Sequence, residues 1–101
     1  MIRVIYQWDI EPERLKEFET IWRRTTRSIH DSTAGALGSF CLQSAEDPRT
    51  VLTVALWEHE EQWKRFIETA RGTSMKDLHA IGTQISATAY HQIGDETVTV
   101  S

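Results

Sequence analysis

Apolar and polar side chains alternate along residues 2–9, the pattern of a β-strand with one buried face. The stretch 84–93 alternates in the same way, and 37–44 also has the composition of a strand. The run 51–57 is apolar on both faces, which predicts a strand in the centre of a sheet. The chain is therefore expected to form four strands.

Between these strands the apolar residues recur at helical spacing. They form one stripe from Glu13 to His30, and Pro12 suits the first turn of this helix. Glu58 to Arg71 carries a second stripe, and 74–81 predicts a short further helical segment. The order β-α-β-β-α-β predicts an α+β, ferredoxin-like fold with an antiparallel four-stranded sheet, in which the first and third strands are central.

Such a sheet carries both helices on one face and leaves the other face uncovered. The uncovered face is expected to include Ile5 and one of two rows of the third strand. The two rows are Val51, Thr53, Ala55 and Trp57, or Leu52, Val54 and Leu56. Either row exposes apolar surface, which usually marks an interface. We therefore predict a homodimer that packs sheet against sheet.

Length and composition suit one domain over residues 1–101, with 40% hydrophobic and 26% charged residues. The net charge of −4 argues against a nucleic-acid partner. The single cysteine, Cys41, excludes an intramolecular disulfide framework. No stretch resembles a signal peptide or a membrane span, so we expect a cytoplasmic protein without a membrane partner. The tail 94–101 alternates, which is typical of an extra strand on an edge or on a partner subunit, or of a frayed end.

Aromatic residues supply the candidates for a binding pocket. Four of them could form walls for a flat ligand, although aromatic residues at such spacing are often simply core. They are Trp8, Trp57, Trp63 and Phe66. Tyr6 and Tyr90 could hydrogen-bond a phenolate or carbonyl, although buried tyrosines also do this for structure alone.

His79 is the candidate general base, because histidine is the side chain whose ordinary pKa lies near neutrality. It could equally be a surface histidine on a short helix. If the alternation of the last strand holds, His91 shares a face with Ile85 and belongs to the dimer interface. His59 and His30 lie at helix ends, and no histidine pair has the spacing of a zinc-protease helix. We therefore expect no metal site.

Several motifs together resemble the antibiotic-biosynthesis-monooxygenase superfamily. They are Glu-Pro-Glu at 11–13, Gly-Ala-Leu-Gly-Ser at 35–39, Ala-Leu-Trp-Glu at 55–58, and Gln-Trp followed by Phe at 62–66. Proteins of this superfamily are dimeric α+β barrels, and the resemblance covers nearly the whole chain. It implies a pocket between the sheet and the helices of each subunit. The fold alone does not choose among the chemistries that it hosts.

The superfamily includes cofactor-free oxygenases that convert polycyclic phenols to quinones, and haem-degrading oxygenases. Both branches use an asparagine and a tryptophan, and the second adds a histidine that ligates iron. This chain contains no asparagine; the three places fall near Tyr6, on Phe66 and about one helical turn from His79. The resemblance implies a monooxygenase that needs no cofactor and acts on an aromatic or quinol-type molecule, with His79 and Tyr6 as catalytic residues.

Two alternatives remain open from the sequence. The first is a dimeric domain of the same fold that binds a hydrophobic small molecule, or haem, without catalysis. The second is a dimer-forming domain whose pocket is filled by its own side chains.

Overall fold

Residues 1–70 and 73–99 of the chain are described by a computed structural model. Along the chain lie β1 (Ile2–Asp9), a 3-10 turn (Pro12–Arg14), α1 (Leu15–Ser32), β2 (Ala36–Gln43), β3 (Thr50–Trp57), α2 (Glu60–Ala70), α3 (Lys76–Ile81) and β4 (Thr83–His91). The predicted α+β, ferredoxin-like architecture is confirmed. The first helix begins at Leu15, two residues after its predicted start at Glu13, because Pro12–Arg14 form a tighter 3-10 turn. Arg71, the predicted end of the second helix, lies outside the described residues.

The four strands form one antiparallel sheet in the order β2-β3-β1-β4. The two central strands are therefore β1 and β3, as their apolar composition predicts. Asp9 pairs with Thr50 at one end of the central pair, and Ile2 pairs with Trp57 at the other. This register places the end of β3 and the start of α2 beside the start of the chain.

The core lies between the sheet and the helices. Ile2, Val4, Tyr6 and Trp8 of β1 point into it and are each at most 6% exposed. The Trp8 ring meets Phe18 of α1 edge-on, with 5.4 Å between centroids. A buried indole needs a partner for its N–H, and Trp8 Nε1 donates to Thr53 Oγ1 at 3.1 Å.

Both edge strands carry a β-bulge. In β2 the pairing with β3 shifts between Ala36 and Ser39, and Gly38 takes a φ of +99° there. An extra residue reverses which face the following side chains occupy. Ser39 therefore pairs with Ala55 and lies on the helix side of the sheet. In β4 a similar shift makes Gln84 the partner of Trp8.

The opposite face of the sheet has no helix over it among the described residues. Of the two rows that the sequence leaves open, the one on this face is Leu52, Val54 and Leu56, which pair with Gln7, Ile5 and Arg3. Phe40 and Leu42 of β2 share this face and are 45% and 48% exposed. The Arg3 guanidinium lies 5.7 Å from the Phe40 ring centroid. We name this apolar surface, made by β2, β3 and β1, the open face.

The end of the chain differs from its pattern. Residues 92–99 take neither helical nor strand conformation, so the extra strand predicted over 94–101 is not formed on the chain's own sheet. Val100 and Ser101 lie outside the described residues. A strand added to a partner subunit stays a prediction. None of the helices described is long and apolar enough to cross a membrane.

Candidate functional site

A cleft of about 270 Å³ opens between α2, α3 and β4. Its walls come from one central strand, two helices and one edge strand. The lining residues are Tyr6, Trp63, Ile67, Met75, His79, Gln84 and Ala87. Three of the residues predicted from the sequence as site residues, Tyr6, Trp63 and His79, therefore meet in one cleft.

A smaller space of about 60 Å³, which we name the inner cavity, lies between α1, α2 and the sheet. Its apolar wall includes Trp57 and Phe66, whose ring centroids lie 5.3 Å apart. These two are also among the predicted aromatic walls. The inner cavity has room for a few water molecules, whereas a two-ring ligand needs more space. Tyr6 and Met75 line both spaces and so form the partition between them.

Tyr6 is the polar group at this partition. It is 6% exposed, and its phenol oxygen accepts a hydrogen bond of 2.9 Å from Trp63 Nε1. Burial raises the pKa of the Tyr6 phenol, and the bond from Trp63 opposes this to a smaller extent. Tyr6 therefore keeps its proton at neutral pH and has an O–H that can donate a hydrogen bond.

His79 lines the cleft from α3, about one turn after this helix begins at Lys76. Its backbone N–H donates to the Met75 carbonyl at 3.2 Å. The imidazole ring packs against the Trp8 ring, with 5.2 Å between centroids. The imidazole is thus supported from behind by the core while it faces the same cleft as Tyr6.

Two predicted site residues do not line either space. Trp8 is fully buried and packs against Phe18 and His79, so it supports the cleft from the core instead of facing a ligand. Tyr90 pairs with Arg3 on the side of the sheet away from the helices and is 53% exposed. The strand period explains Tyr90, since its neighbour Ala89 takes the inward position opposite Val4.

The prediction for His91 also needs correction. His91 pairs with Ile2 and so lies on the helix side of the sheet, not on the open face where a dimer would form. Its predicted companion Ile85 is the extra residue of the β4 bulge. His30 and His59 are exposed, as their places at helix ends predict.

Sequence reasoning missed several residues of the two spaces. Met75 has no polar group that would mark it as a site residue in the sequence. It is 7% exposed and lines both the cleft and the inner cavity. Trp22 packs against the core from α1 and also lines the inner cavity together with Thr26 and Ser39. The signal for Ser39 is the glycine before it, because a Gly inside a strand often marks a bulge that turns the next side chain.

The remaining reactive groups lie apart from the cleft. Burial raises the pKa of the Cys41 thiol to about 11. The nearby Glu19 carboxylate raises this pKa further, and Arg23 lowers it, both to a smaller extent. Such a thiol is a poor nucleophile at neutral pH. Within residues 1–70 and 73–99, no three histidine, cysteine or acidic side chains are grouped so as to hold a metal ion.

Solved structures of similar architecture include one described as a cofactor-independent oxygenase. SnoaB from Streptomyces nogalater, a cofactor-independent oxygenase, superposes with a TM-score of 0.73 at 14% identity over 94% of this chain and 95% of its own. A candidate antibiotic biosynthesis monooxygenase from Bordetella bronchiseptica gives 0.76 at 17% identity over 91% and 96%. A conserved protein from Methanosarcina mazei gives 0.67 at 17% identity over 90% and 91%. At these identities the likeness shows the fold alone.

A search of curated protein sequences finds no significant match. The sequence itself, however, matches the family model for antibiotic biosynthesis monooxygenases over residues 1–78. That range includes β1, α2 and Met75, and therefore most of the cleft described above. The chain belongs to the antibiotic biosynthesis monooxygenase family.

Proposed function

We propose that the protein is a monooxygenase that needs no cofactor and oxidises a phenol or quinol-type aromatic molecule in the cleft. The observation that carries this proposal is the meeting of Tyr6, a protonated phenol, with the imidazole of His79 along one cleft. Membership of the family supports it, as does the description of the structural relative SnoaB as a cofactor-independent oxygenase.

Such a reaction asks little of the protein, because the substrate itself reduces oxygen. A phenol such as 1-naphthol loses its hydroxyl proton to a base, and the electron-rich anion transfers electrons to O2. One oxygen atom then bonds to the ring carbon opposite the hydroxyl, where a C–H bond breaks, and the other leaves as water. One phenol and one O2 give one quinone and one water, so no outside reductant is needed.

The residues of the cleft divide this work between them. His79 accepts the phenol proton, because histidine is the residue type most often used as a general base. Tyr6 donates its own hydrogen to an oxygen of the substrate or of the peroxide that forms on it. Trp63 holds the Tyr6 oxygen from the other side, which fixes the direction in which the phenol O–H can point. The apolar walls limit water near the anion.

A two-ring substrate needs more room than the cleft alone provides. Ordinary small-molecule sites have volumes of roughly 300–1,000 Å³, and the cleft has about 270 Å³. Met75 separates it from the inner cavity, and methionine is the most adaptable apolar side chain. We infer that Met75 turns aside on binding, so that the aromatic ligand extends past Tyr6 towards Trp57 and Phe66.

The test is oxygen uptake with 1-naphthol and with the more electron-rich 9-hydroxyanthracene, each corrected for autoxidation. We expect one O2 consumed per quinone formed, with one atom of ¹⁸O₂ in the quinone. His79→Ala should lower kcat/KM by about 100-fold or more, the usual contribution of a general base. His30→Ala, at an exposed histidine, is the matched control and should change nothing. Unchanged kcat/KM in His79→Ala would remove the base assignment.

A second candidate function is binding of the same class of molecule without turnover. The small inner cavity and the protonated Tyr6 favour it, since both suit a bound acceptor as well as a reacting one. Saturable binding of either phenol without oxygen uptake would establish this alternative. Haem fits the cleft poorly, because about 270 Å³ lies below the ordinary range for organic ligands and the imidazole packs against Trp8.

We further propose that two copies of the chain pair through the open face. Phe40 and Leu42 are nearly half exposed there, and the partly exposed Leu52 and Leu56 continue the apolar surface onto β3, on either side of the buried Val54. A contiguous apolar surface of this kind on a soluble protein usually marks an interface. Pairing two identical faces is the arrangement that closes on itself.

A further inference from the structure

Three side chains with hydrogen-bonding groups form a connected cluster along the inner cavity. Trp22 Nε1 donates to Ser39 Oγ at 2.9 Å, and Ser39 Oγ lies 3.1 Å from Thr26 Oγ1. All three residues line the cavity, which Tyr6 also lines. We name Trp22, Thr26 and Ser39 the hydroxyl cluster.

The two hydrogen bonds of this cluster use two of its three hydrogens. Ser39 Oγ accepts the indole hydrogen, and the Ser39–Thr26 contact uses one of the two hydroxyl hydrogens, whichever residue donates. The second hydroxyl hydrogen finds no acceptor among the groups of residues 1–70 and 73–99. It is therefore available to an oxygen of a ligand, or to water that such an oxygen replaces.

The backbone is shaped to aim this cluster at the cavity. Without the bulge in β2, Gly38 would pair with Ala55 and Ser39 would lie on the open face. The bulge requires the φ of +99° at Gly38, a conformation that favours glycine, while nothing lies within 4 Å of the space that a Cβ would fill. Crowding thus does not explain this glycine, whereas the turn that brings Ser39 inward does.

We propose that the hydroxyl cluster is a specificity subsite, which binds an acceptor oxygen of the substrate at a distance from the reacting phenol. This inference rests on the proposed function, because it gives that substrate a second polar group. The ligand class is an aromatic molecule with a carbonyl, hydroxyl or alkoxy oxygen at the end remote from the hydroxyl that His79 deprotonates.

The test compares two probes of equal size under nitrogen, where no turnover occurs. Equilibrium dialysis measures binding of 6-methoxy-2-naphthol and of 6-ethyl-2-naphthol, in which a CH2 group replaces the ether oxygen. One net hydrogen bond corresponds to about a two- to tenfold change in Kd. We expect the methoxy probe to bind tighter by about that factor. Without a donor the more apolar ethyl probe should bind tighter, so the sign of the difference is informative.

Variants assign the effect to the cluster. Ser39→Ala and Thr26→Val should each abolish or reverse the preference for the methoxy probe; Thr26→Val keeps the volume if Ser39→Ala folds poorly. Thr20→Val, at an exposed threonine of the same helix, is the matched control and should keep the wild-type preference.

The outcomes separate this inference from the proposed function. If neither probe binds, the proposed ligand class fails and the subsite fails with it. If both bind and the ethyl probe is equal or tighter, only the subsite is overturned. A methoxy preference that survives in both variants would also overturn the assignment to Ser39 and Thr26.

Discussion

The indole N–H of Trp63 donates a 2.9 Å hydrogen bond to the phenol oxygen of Tyr6, which ties α2 to the centre of the sheet. The contact joins residues 57 positions apart and lies at the partition between the cleft and the inner cavity. It leaves the Tyr6 hydrogen directed away from Trp63. Structure and proposed chemistry therefore depend on the same pair of atoms.

Replacing Tyr6 by Phe removes the hydroxyl and measures its structural role. Trp63 loses the acceptor for its N–H in a half-buried place, so we expect the free energy of unfolding to fall by about 1–2 kcal/mol. Urea denaturation monitored by circular dichroism measures this. Tyr90→Phe is the matched control, because Tyr90 is exposed on the other side of the sheet; it should change stability by less than about 0.5 kcal/mol. Equal stabilities of the two variants would contradict the role given to the hydrogen bond.

The raised pKa of Tyr6 predicts a dependence of stability on alkaline pH. Because the folded chain holds this proton more tightly than the unfolded chain, the contribution is fully present below the ordinary tyrosine pKa of 10.0 and is lost as pH rises through the higher folded value. The chain has two tyrosines, so Tyr90→Phe leaves Tyr6 as the only tyrosine whose ionisation absorbs near 295 nm. We expect the folded variant to titrate at higher pH than the same variant in urea. Coincident curves would remove the desolvation argument.

The sequence predicts the architecture because burial imposes a regular period on each element. The alternation over residues 2–9 reproduces the bounds of β1, and the doubly apolar run at 51–57 correctly indicates a central strand. The sequence identifies Tyr6, Trp63 and His79 by residue type. The fold then places their elements around one cleft. Chemistry and topology together were sufficient for that part of the cleft.

The rest depends on features that a period does not encode. From the sequence, Trp8 and Trp63 are equally good candidates for the wall of a pocket. In the structure Trp8 packs against Phe18 in the core, whereas Trp63 lines the cleft. The bulges in β2 and β4 reverse the phase of the strands, so Ser39 and Gln84 occupy positions that strict alternation does not predict. Met75 lies immediately before α3, and the position of this helix against the sheet places Met75 between the cleft and the inner cavity.

Two glycines offer a matched test of local backbone geometry. Gly35 and Gly38 both have positive φ, at +86° and +99°. An added Cβ at Gly38 meets nothing, so Gly38→Ala should cost about 1–2 kcal/mol from backbone strain alone. At Gly35 the Cβ would also overlap the Gln62 amide, whose oxygen accepts the His59 backbone N–H at 3.1 Å.

Displacing Gln62 removes the hydrogen bond that caps the start of α2, as a Gln at this position commonly does. We therefore expect Gly35→Ala to be less stable than Gly38→Ala by about a further 1 kcal/mol. Urea denaturation of both variants gives the difference directly. In a Gln62→Ala background, Gly35→Ala and Gly38→Ala should lower the free energy of unfolding by nearly equal amounts. If Gly38→Ala proved the more harmful, the proposed overlap with Gln62 would be wrong.

The thiol of Cys41 should be slow to react in the folded chain. Its pKa is raised from 9.0 to about 11, mainly by burial against α1. At pH 8 the thiolate fraction is therefore about 100-fold lower than in the unfolded chain, and alkylation by iodoacetamide should slow by a similar factor. Because the chain has one cysteine, mass spectrometry of the labelled protein reports this site alone. Labelling at the same rate with and without urea would show that the thiol is neither buried nor perturbed.

Pairing through the open face is tested by placing a charge at its centre. Leu52 lies on β3 on that face, between Gln7 and Leu42 of the two neighbouring strands. Leu52→Glu would bury an unpaired carboxylate in the dimer, which costs several kcal/mol and weakens association by about 100-fold or more. Sedimentation velocity at micromolar concentration should therefore show a dimer for the wild type and a monomer for Leu52→Glu. Thr20→Glu, on the exposed surface of α1, is the control and should remain dimeric. A wild-type chain that sediments as a monomer would rule out the open face as a self-interface and leave its apolar rows to a different protein partner.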